Sequence, residues 1–344
     1  MKIPFGNESA ESAESAESAE SAESAESAES ASGLTAYSGL RTSPFLARAL
    51  WTTQGELTRG LGTGNPDLGY HKLDVDGAMR RWSREVRARL YAFELSEGLY
   101  FDAAKPNVGE LWSLTGPLAA AGSGGTRSGQ FGSIAKLERP KYDYDPNKPI
   151  PGSAPGKSLK EELDLVINMA ALREDRMPEI LTQVTNPYSF FAMVLNLQPG
   201  RHRFTLEMMA AAFDFASAVG QRFKHHFRVV RPADRSSLVQ PILQTPGHSS
   251  YPAGHAVQAR LVRGMLVKAL ETQNLATAEI KGQLKALANR IAENRVVAGV
   301  HYVTDIHEGR KLGKALTQHF IDQTTVNDSA LEWLWKRVLE EWPQ

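Results

Sequence analysis

An all-α fold is predicted by three features of the sequence. Apolar residues recur at spacings of three and four over several long segments, capping signatures stand before some of them, and no alternating run or Asn-Gly hairpin marks a strand pair. The first segment runs through Met79, Trp82, Val86, Leu90 and Phe93, with arginines between them. It predicts one amphipathic helix of about five turns ending near Gly98. Ser158 and Glu161 form a capping box ahead of Leu163, Val166, Ile167 and Ala170, and Pro178 is placed to open a short helix as a first-turn proline. Leu206, Met209, Phe213, Ala216, Val219 and Phe223 line one side of a helix over 205–223. Val257, Leu261 and Met265 mark a helix over 255–270, and Ile280, Leu284, Leu287 and Ile291 mark another. Helical segments at 301–320 and 331–342 close the chain.

Composition sets the frame. The 344 residues are 42% hydrophobic and 23% charged, as in ordinary globular chains. Net charge is zero, but eight Glu of the first 32 residues conceal a basic surplus of seven in the remainder, 38 basic against 31 acidic. No Lys/Arg run forms a nucleic-acid track. The absence of cysteine excludes disulfides, zinc–thiolate sites and thiol nucleophiles. Met1-Lys-Ile-Pro-Phe-Gly-Asn does not read as a signal peptide, and no stretch approaches the roughly 20 apolar residues of a membrane span. A soluble, cytoplasmic protein is expected, with self-association left open.

Three regions are expected. Residues 1–32 form a disordered acidic tail of perfect Glu-Ser-Ala triplets. Residues 33–157 wrap over the body and contribute one long helix. Residues 158–344 form the helical domain that carries the motifs, with its core at 204–313. The glycine-rich stretch after Ala121 lacks a Gly-Lys-Ser/Thr ending, and Gly152 to Ser158 has the wrong glycine spacing, so neither is a phosphate loop.

Three clusters between Phe223 and Asp305 gather three cations, two histidines and one carboxylate. Lys224 is followed by Arg231-Pro232. The proline forces the chain out of the helix and can aim the guanidinium, whose fork binds two oxygens of a tetrahedral anion while an ammonium binds a third. Tyr251-Pro252-Ala253-Gly254-His255 stands before a helix whose first N–H groups welcome an anion. There Gly254 permits close approach, and His255 is placed to act as acid or base. In the third cluster, Asn294-Arg295 precedes His301 and Asp305. Arg295 falls on the apolar face of its helix, so it is expected to be buried and to need an anion. Asp305, four residues after His301, can hold one imidazole nitrogen and leave the other for a ligand.

The pattern Lys-x6-Arg-Pro, then Pro-x-Gly-His, then Arg-x5-His-x3-Asp resembles the superfamily of type 2 phosphatidic acid phosphatases and vanadium-dependent haloperoxidases over about Phe204 to Gly313. The resemblance implies a helical bundle of the vanadium haloperoxidase or acid phosphatase type. It implies that Lys224, Arg231, Arg295, the Gly254 N–H and Asn294 bind the oxyanion. His301 would be the nucleophile toward phosphorus or the ligand to vanadium, Asp305 would orient it, and His255 would be the acid/base. Ala253 and Asn294 depart from the family, which usually has Ser at both positions. Loss of the first hydroxyl removes roughly 1.5–3 kcal/mol of charge-assisted binding, while Asn294 keeps a donor.

His248, seven residues before His255 in Thr245-Pro-Gly-His248, is similar to the bromoperoxidase form. With the long N-terminal half, it favours a vanadium-dependent haloperoxidase that carries vanadate and oxidises halide with hydrogen peroxide. The alternatives are a soluble phosphatase acting on phosphate monoesters through a phosphohistidine, with no cofactor required, and a non-catalytic oxyanion-binding protein.

Overall fold

The computed structural model describes residues 75–115, 130–140, 158–185 and 188–342. The acidic repeat, the rest of the chain before residue 75, the glycine-rich stretch up to residue 129 and the proline-rich stretch over 141–157 lie outside the described residues. Helices dominate what is described, as the periodicity predicts, and a three-stranded sheet joins them.

The first predicted helix is two helices, α1 (Val75–Arg81) and α2 (Arg84–Ser96), because Ser83 takes extended backbone and caps the second. Of the apolar stripe only Met79 is buried. Trp82 is 41% and Phe93 67% exposed, while Arg87, Tyr91 and Leu95 are buried. The rotation follows from Arg87, whose guanidinium binds Glu207 through two bonds of 2.7 Å and also reaches Met79 O at 3.1 Å and Trp82 O at 2.7 Å. Tyr91 Oη donates to the same carboxylate at 2.9 Å. An ion pair this fully bonded survives burial, and it outweighs the hydrophobic periodicity in setting the helix phase.

The sheet is the main departure from the all-α expectation. Strands β1 (Leu99–Lys105), β2 (Val108–Thr115) and β3 (Gln130–Glu138) form an antiparallel meander in that order, with Tyr100 opposite Trp112 and Glu110 opposite Lys136. The inward positions of β2 are Gly109, Leu111 and Ser113. Only one of them is a large apolar residue, so the buried alternation leaves no hydrophobic alternation to read. Ser113 Oγ lies 3.0 Å from His319 Nδ1, and His319 Nε2 bonds Leu95 O at 2.9 Å.

Beyond the sheet, Ser158 and Glu161 close the expected capping box on α3 (Leu159–Asn168). A 3-10 turn over Met169–Leu172 runs into α4 (Arg173–Thr185), so that helix starts before the expected point and Pro178 sits inside it instead of opening it. Helix α5 (Tyr188–Leu195) leads to α6 (Arg203–Phe227) and the short α7 (Pro232–Arg235). Then come α8 (Gly254–Thr272), α9 (Ala278–Val297), α10 (Val303–Gln323) and α11 (Ala330–Glu340). The core forms where Met209, Phe215, Leu261, Met265, Leu316 and Leu331 meet.

Two constraints in this bundle position the later site. Helices α8 and α10 touch through backbone: a Cβ on Gly309 would lie 2.7 Å from Ala253 O, and one on Gly313 2.6 Å from Val257 O. Several helix N-termini are also closed by carboxylates from distant elements. Glu341 accepts from Phe204 N and Thr205 N of α6, Glu94 from Ala330 N and Leu331 N of α11, and Glu162 from Val303 N and Thr304 N of α10. Gly313→Ala is expected to destabilise the fold by about 1–3 kcal/mol through overpacking, read as a lower urea midpoint, with α8 and α10 forced apart.

Candidate active site

The end of α6 supplies the first cation. Lys224 is 3% exposed, and its Nζ donates to Ser249 O at 2.7 Å and Ser250 O at 3.0 Å. Burial, with the Arg231 charge beside it, pulls its ammonium down to about 7, against an opposing pull from Asp305. Arg231 takes extended backbone at the N-cap of α7, the conformation that Pro232 imposes. Its guanidinium spans Val300 O at 2.7 Å, His248 O at 3.0 Å and His248 Nδ1 at 3.1 Å. A guanidinium only donates, so His248 Nδ1 accepts from Arg231, although the carbonyl oxygen of Ser249 also lies 3.2 Å from the same nitrogen. Loss of water and the nearby Lys224 charge pull this ring down to about 4, so it is neutral.

His301 and Asp305 meet at the start of α10. His301 lies in the turn before the helix and Asp305 in its first turn, so the pair is not carried on one helical face as the spacing implies. Asp305 Oδ2 accepts from Tyr302 N at 3.0 Å, lies 3.1 Å from His301 Nδ1 and accepts a short bond from Ser250 Oγ. Burial raises Asp305 to about 6, opposed by the Ser250 and Tyr302 hydrogen bonds and by the Lys224 and Arg231 charges. Burial, followed by the Lys224, Arg231 and Arg295 charges, holds His301 well below the usual histidine range. Near neutral pH the pair is therefore a carboxylate and a neutral ring. Nδ1–H is donated to Asp305, and the Nε2 lone pair is left for chemistry.

A second network comes from α4. Arg295 is 2% exposed, and its NH2 group bonds Ile180 O at 3.2 Å and Gln183 Oε1 at 2.9 Å. Asn294 has both ends of its amide occupied: Oδ1 accepts from Arg176 at 3.1 Å, and Nδ2 donates to Gln183 at 3.0 Å and to Glu179 through a short bond. This residue, expected to bind the oxyanion, instead bridges α9 to α4. His255 Nε2 lies 3.2 Å from Gln183 O, and burial, then the Arg295 charge, holds the ring well below the ordinary histidine range. His255 also feels the Lys224 charge, so the two networks adjoin.

The N-terminus of α8 completes the arrangement. Ala256 and Val257 bond back to Ala253 O at 3.1 and 3.2 Å, whereas the N–H groups of Gly254 and His255 have no protein acceptor among the described residues. Ala253, at the N-cap, brings no hydroxyl. Lys224, Arg231 and Arg295 are buried against one buried carboxylate, Asp305, and the half-buried Glu179. Arg295 Nε and Gln183 Nε2 are buried donors without acceptors. Uncompensated cations, idle donors and a free helix N-terminus fit a tetrahedral oxyanion, phosphate and vanadate alike.

Sequence reasoning overlooked Ser250, Gln183 and Glu179. Ser250 lies between His248 and Tyr251, so its hydroxyl is within reach of motif reasoning. Gln183 and Glu179 lie more than 70 residues before His255 with no local pattern around them.

No protein-family model matches the chain, and no curated protein gives a significant match. Among solved structures, it is similar to the first transmembrane PAP2 type phosphatidylglycerolphosphate phosphatase from Bacillus subtilis. The identity is 19% and the TM-score 0.37, over 46% of this chain and 82% of that one. The overlay is partial. Among the described residues no helix is long and apolar enough to cross a membrane.

Lys224 makes stability depend on pH. A lysine in the unfolded chain titrates near about 10.4, while the folded one titrates at about 7. Between those values the unfolded chain holds a proton that the folded chain has released, so stability rises with pH across the window. Lys224→Met is expected to flatten that rise, measured as urea midpoints from pH 7 to 10.

Proposed function

We propose that this chain hydrolyses phosphate esters through a phosphohistidine on His301. The supporting observation is the His301–Asp305 pair, 3.1 Å apart, set among Lys224, Arg231 and Arg295 with Nε2 of the ring left free. A phosphoryl group held by the three cations and the Gly254 N–H places phosphorus before a neutral imidazole, and the cations stabilise the charge that spreads over its oxygens. His301 Nε2 forms the N–P bond as the ester P–O bond breaks, and the leaving oxygen takes a proton from His255. Water then attacks the phosphohistidine and gives its proton to His255. Inorganic phosphate leaves and His301 is restored. His255 is neutral in the free protein, so its proton arrives with the substrate monoanion, or once the bound negative charge has raised the ring's affinity for it.

Two residues favour a transient phosphate over a resident cofactor. His248 had pointed to peroxidase chemistry, but its contacts account for it otherwise, since its Nδ1 and carbonyl hold the Arg231 fork. Ala253 weakens retention of any oxyanion, which harms a cofactor that must stay more than a substrate that must leave. The vanadium-dependent haloperoxidase is the second reading, because vanadate fits the same donors. Lys224, Arg231, Arg295 and the Gly254 N–H would hold its oxygens and His301 its metal centre. It would supply oxidation of halide by hydrogen peroxide.

The test is phosphate release from an aryl phosphate, with trapping of an acid-labile, alkali-stable phosphoryl label on His301. His301→Ala should abolish both, and unchanged release in that variant removes the proposal. A bromination assay with orthovanadate, hydrogen peroxide and bromide runs beside it; bromination without phosphate release installs the second reading. Asp305 yields a further expectation. As pH falls through about 6 the carboxylate protonates and loses its hold on Nδ1–H, so kcat should fall on the acid side of the profile. Asp305→Asn should lower kcat by about 100-fold or more.

A further inference from the structure

We infer that Gln183 of α4 is itself an oxyanion ligand, supplying from outside the motif the donor that Ala253 lacks. This rests on the oxyanion reading of the site and assigns it one more residue.

The orientation of the Gln183 amide is set by two guanidinium groups. Arg176 NH1 can only donate, so the Asn294 atom that it meets at 3.1 Å is Oδ1, which turns Nδ2 of Asn294 toward Gln183. Arg295 NH2 and Asn294 Nδ2 then meet the same Gln183 atom at 2.9 and 3.0 Å, which must be Oε1. The opposite end is Nε2, a donor of two N–H bonds. Gln183 is 1% exposed, and Nε2 is buried with no acceptor. Arg295 Nε, on the side chain bonded to this amide, is in the same condition. Two idle buried donors on bonded partners are costly to leave unfilled, and a shared acceptor satisfies both.

Position agrees with this. Gln183 is bracketed by the site at both ends of the residue: its side chain holds Arg295, and its carbonyl lies 3.2 Å from His255 Nε2. His255 is the second residue of α8, two after Ala253, at the helix end whose first N–H groups are free. An oxygen held by Arg295 and that helix end therefore has Gln183 as a neighbour. The amide is neutral, so it adds a bond without adding to the buried positive charge.

The experiment uses the full chain and inorganic phosphate, with binding followed by calorimetry and the glutamine side-chain amides followed by NMR after selective 15N labelling. Phosphate should move one amide pair downfield, and that pair should be absent in Gln183→Met. The Met variant should bind phosphate roughly 10- to 100-fold more weakly, the loss of one bond to a charged partner. Gln183→Glu guards against a fold that needs the bonds to Arg295 and Asn294, since it keeps the acceptor that both share; it removes the donor and adds a charge. It too should bind weakly, and the phosphate-induced shift of the Gln183 amide in the wild type separates a lost donor from the added charge. Wild-type binding with the Gln183 amide unmoved and both variants within twofold overturns this inference alone. No binding of phosphate or orthovanadate by the wild type, with Lys224→Met indistinguishable from it, overturns the oxyanion reading and this inference together.

Discussion

Buried positive charge is the constraint on which the site depends. Lys224, Arg231 and Arg295 are each no more than 3% exposed, and the wholly buried anion among them is a single carboxylate. Burying a charge without a full partner costs several kcal/mol, and the chain meets that cost with backbone carbonyls: Ser249, Ser250, His248, Val300 and Ile180 each turn an oxygen toward a cation. Carbonyl dipoles hold the cations without neutralising them. Burial, then the neighbouring Arg231 charge, depresses Lys224, and an incoming oxyanion would relieve both by favouring its charged form.

The helix ends follow the same electrostatic logic. The starts of α6, α10 and α11 are closed by carboxylates from elsewhere, and α8 keeps its first N–H groups free beside the cations. Glycines at 309 and 313 let α8 and α10 approach until backbones touch, which brings His255 to the same place as His301 and Asp305. Larger residues at those positions would separate the acid/base from the nucleophile.

Much of this was legible in the sequence where local physics decides. The α6 and α8 periodicities, the Ser158 box, the burial of Arg295 and the meeting of His301 with Asp305 all follow from short-range spacing. The failures share a cause: a polar partner distant in sequence overrode a local signal. Arg87 turned α2 away from its apolar stripe to reach Glu207, and Asn294 was drawn to Arg176, Glu179 and Gln183. His248 was read for its chemistry when its contacts serve Arg231. The sheet escaped notice because Gly109 and Ser113 occupy inward positions where the pattern needs bulk.

The trans caps bear on how the molecule assembles. The start of α6 is held by Glu341, 137 positions further along the chain, and α11, which carries the chain to that residue, is in turn held by Glu94. Each of these contacts joins residues more than 130 positions apart. The helix that carries Lys224 is thus unsealed until α11 docks, so the caps tie completion of the site to synthesis of the chain through Glu341. A nascent chain that has already emerged as far as Asp305 possesses every residue of the motif and still lacks the clamp that secures α6.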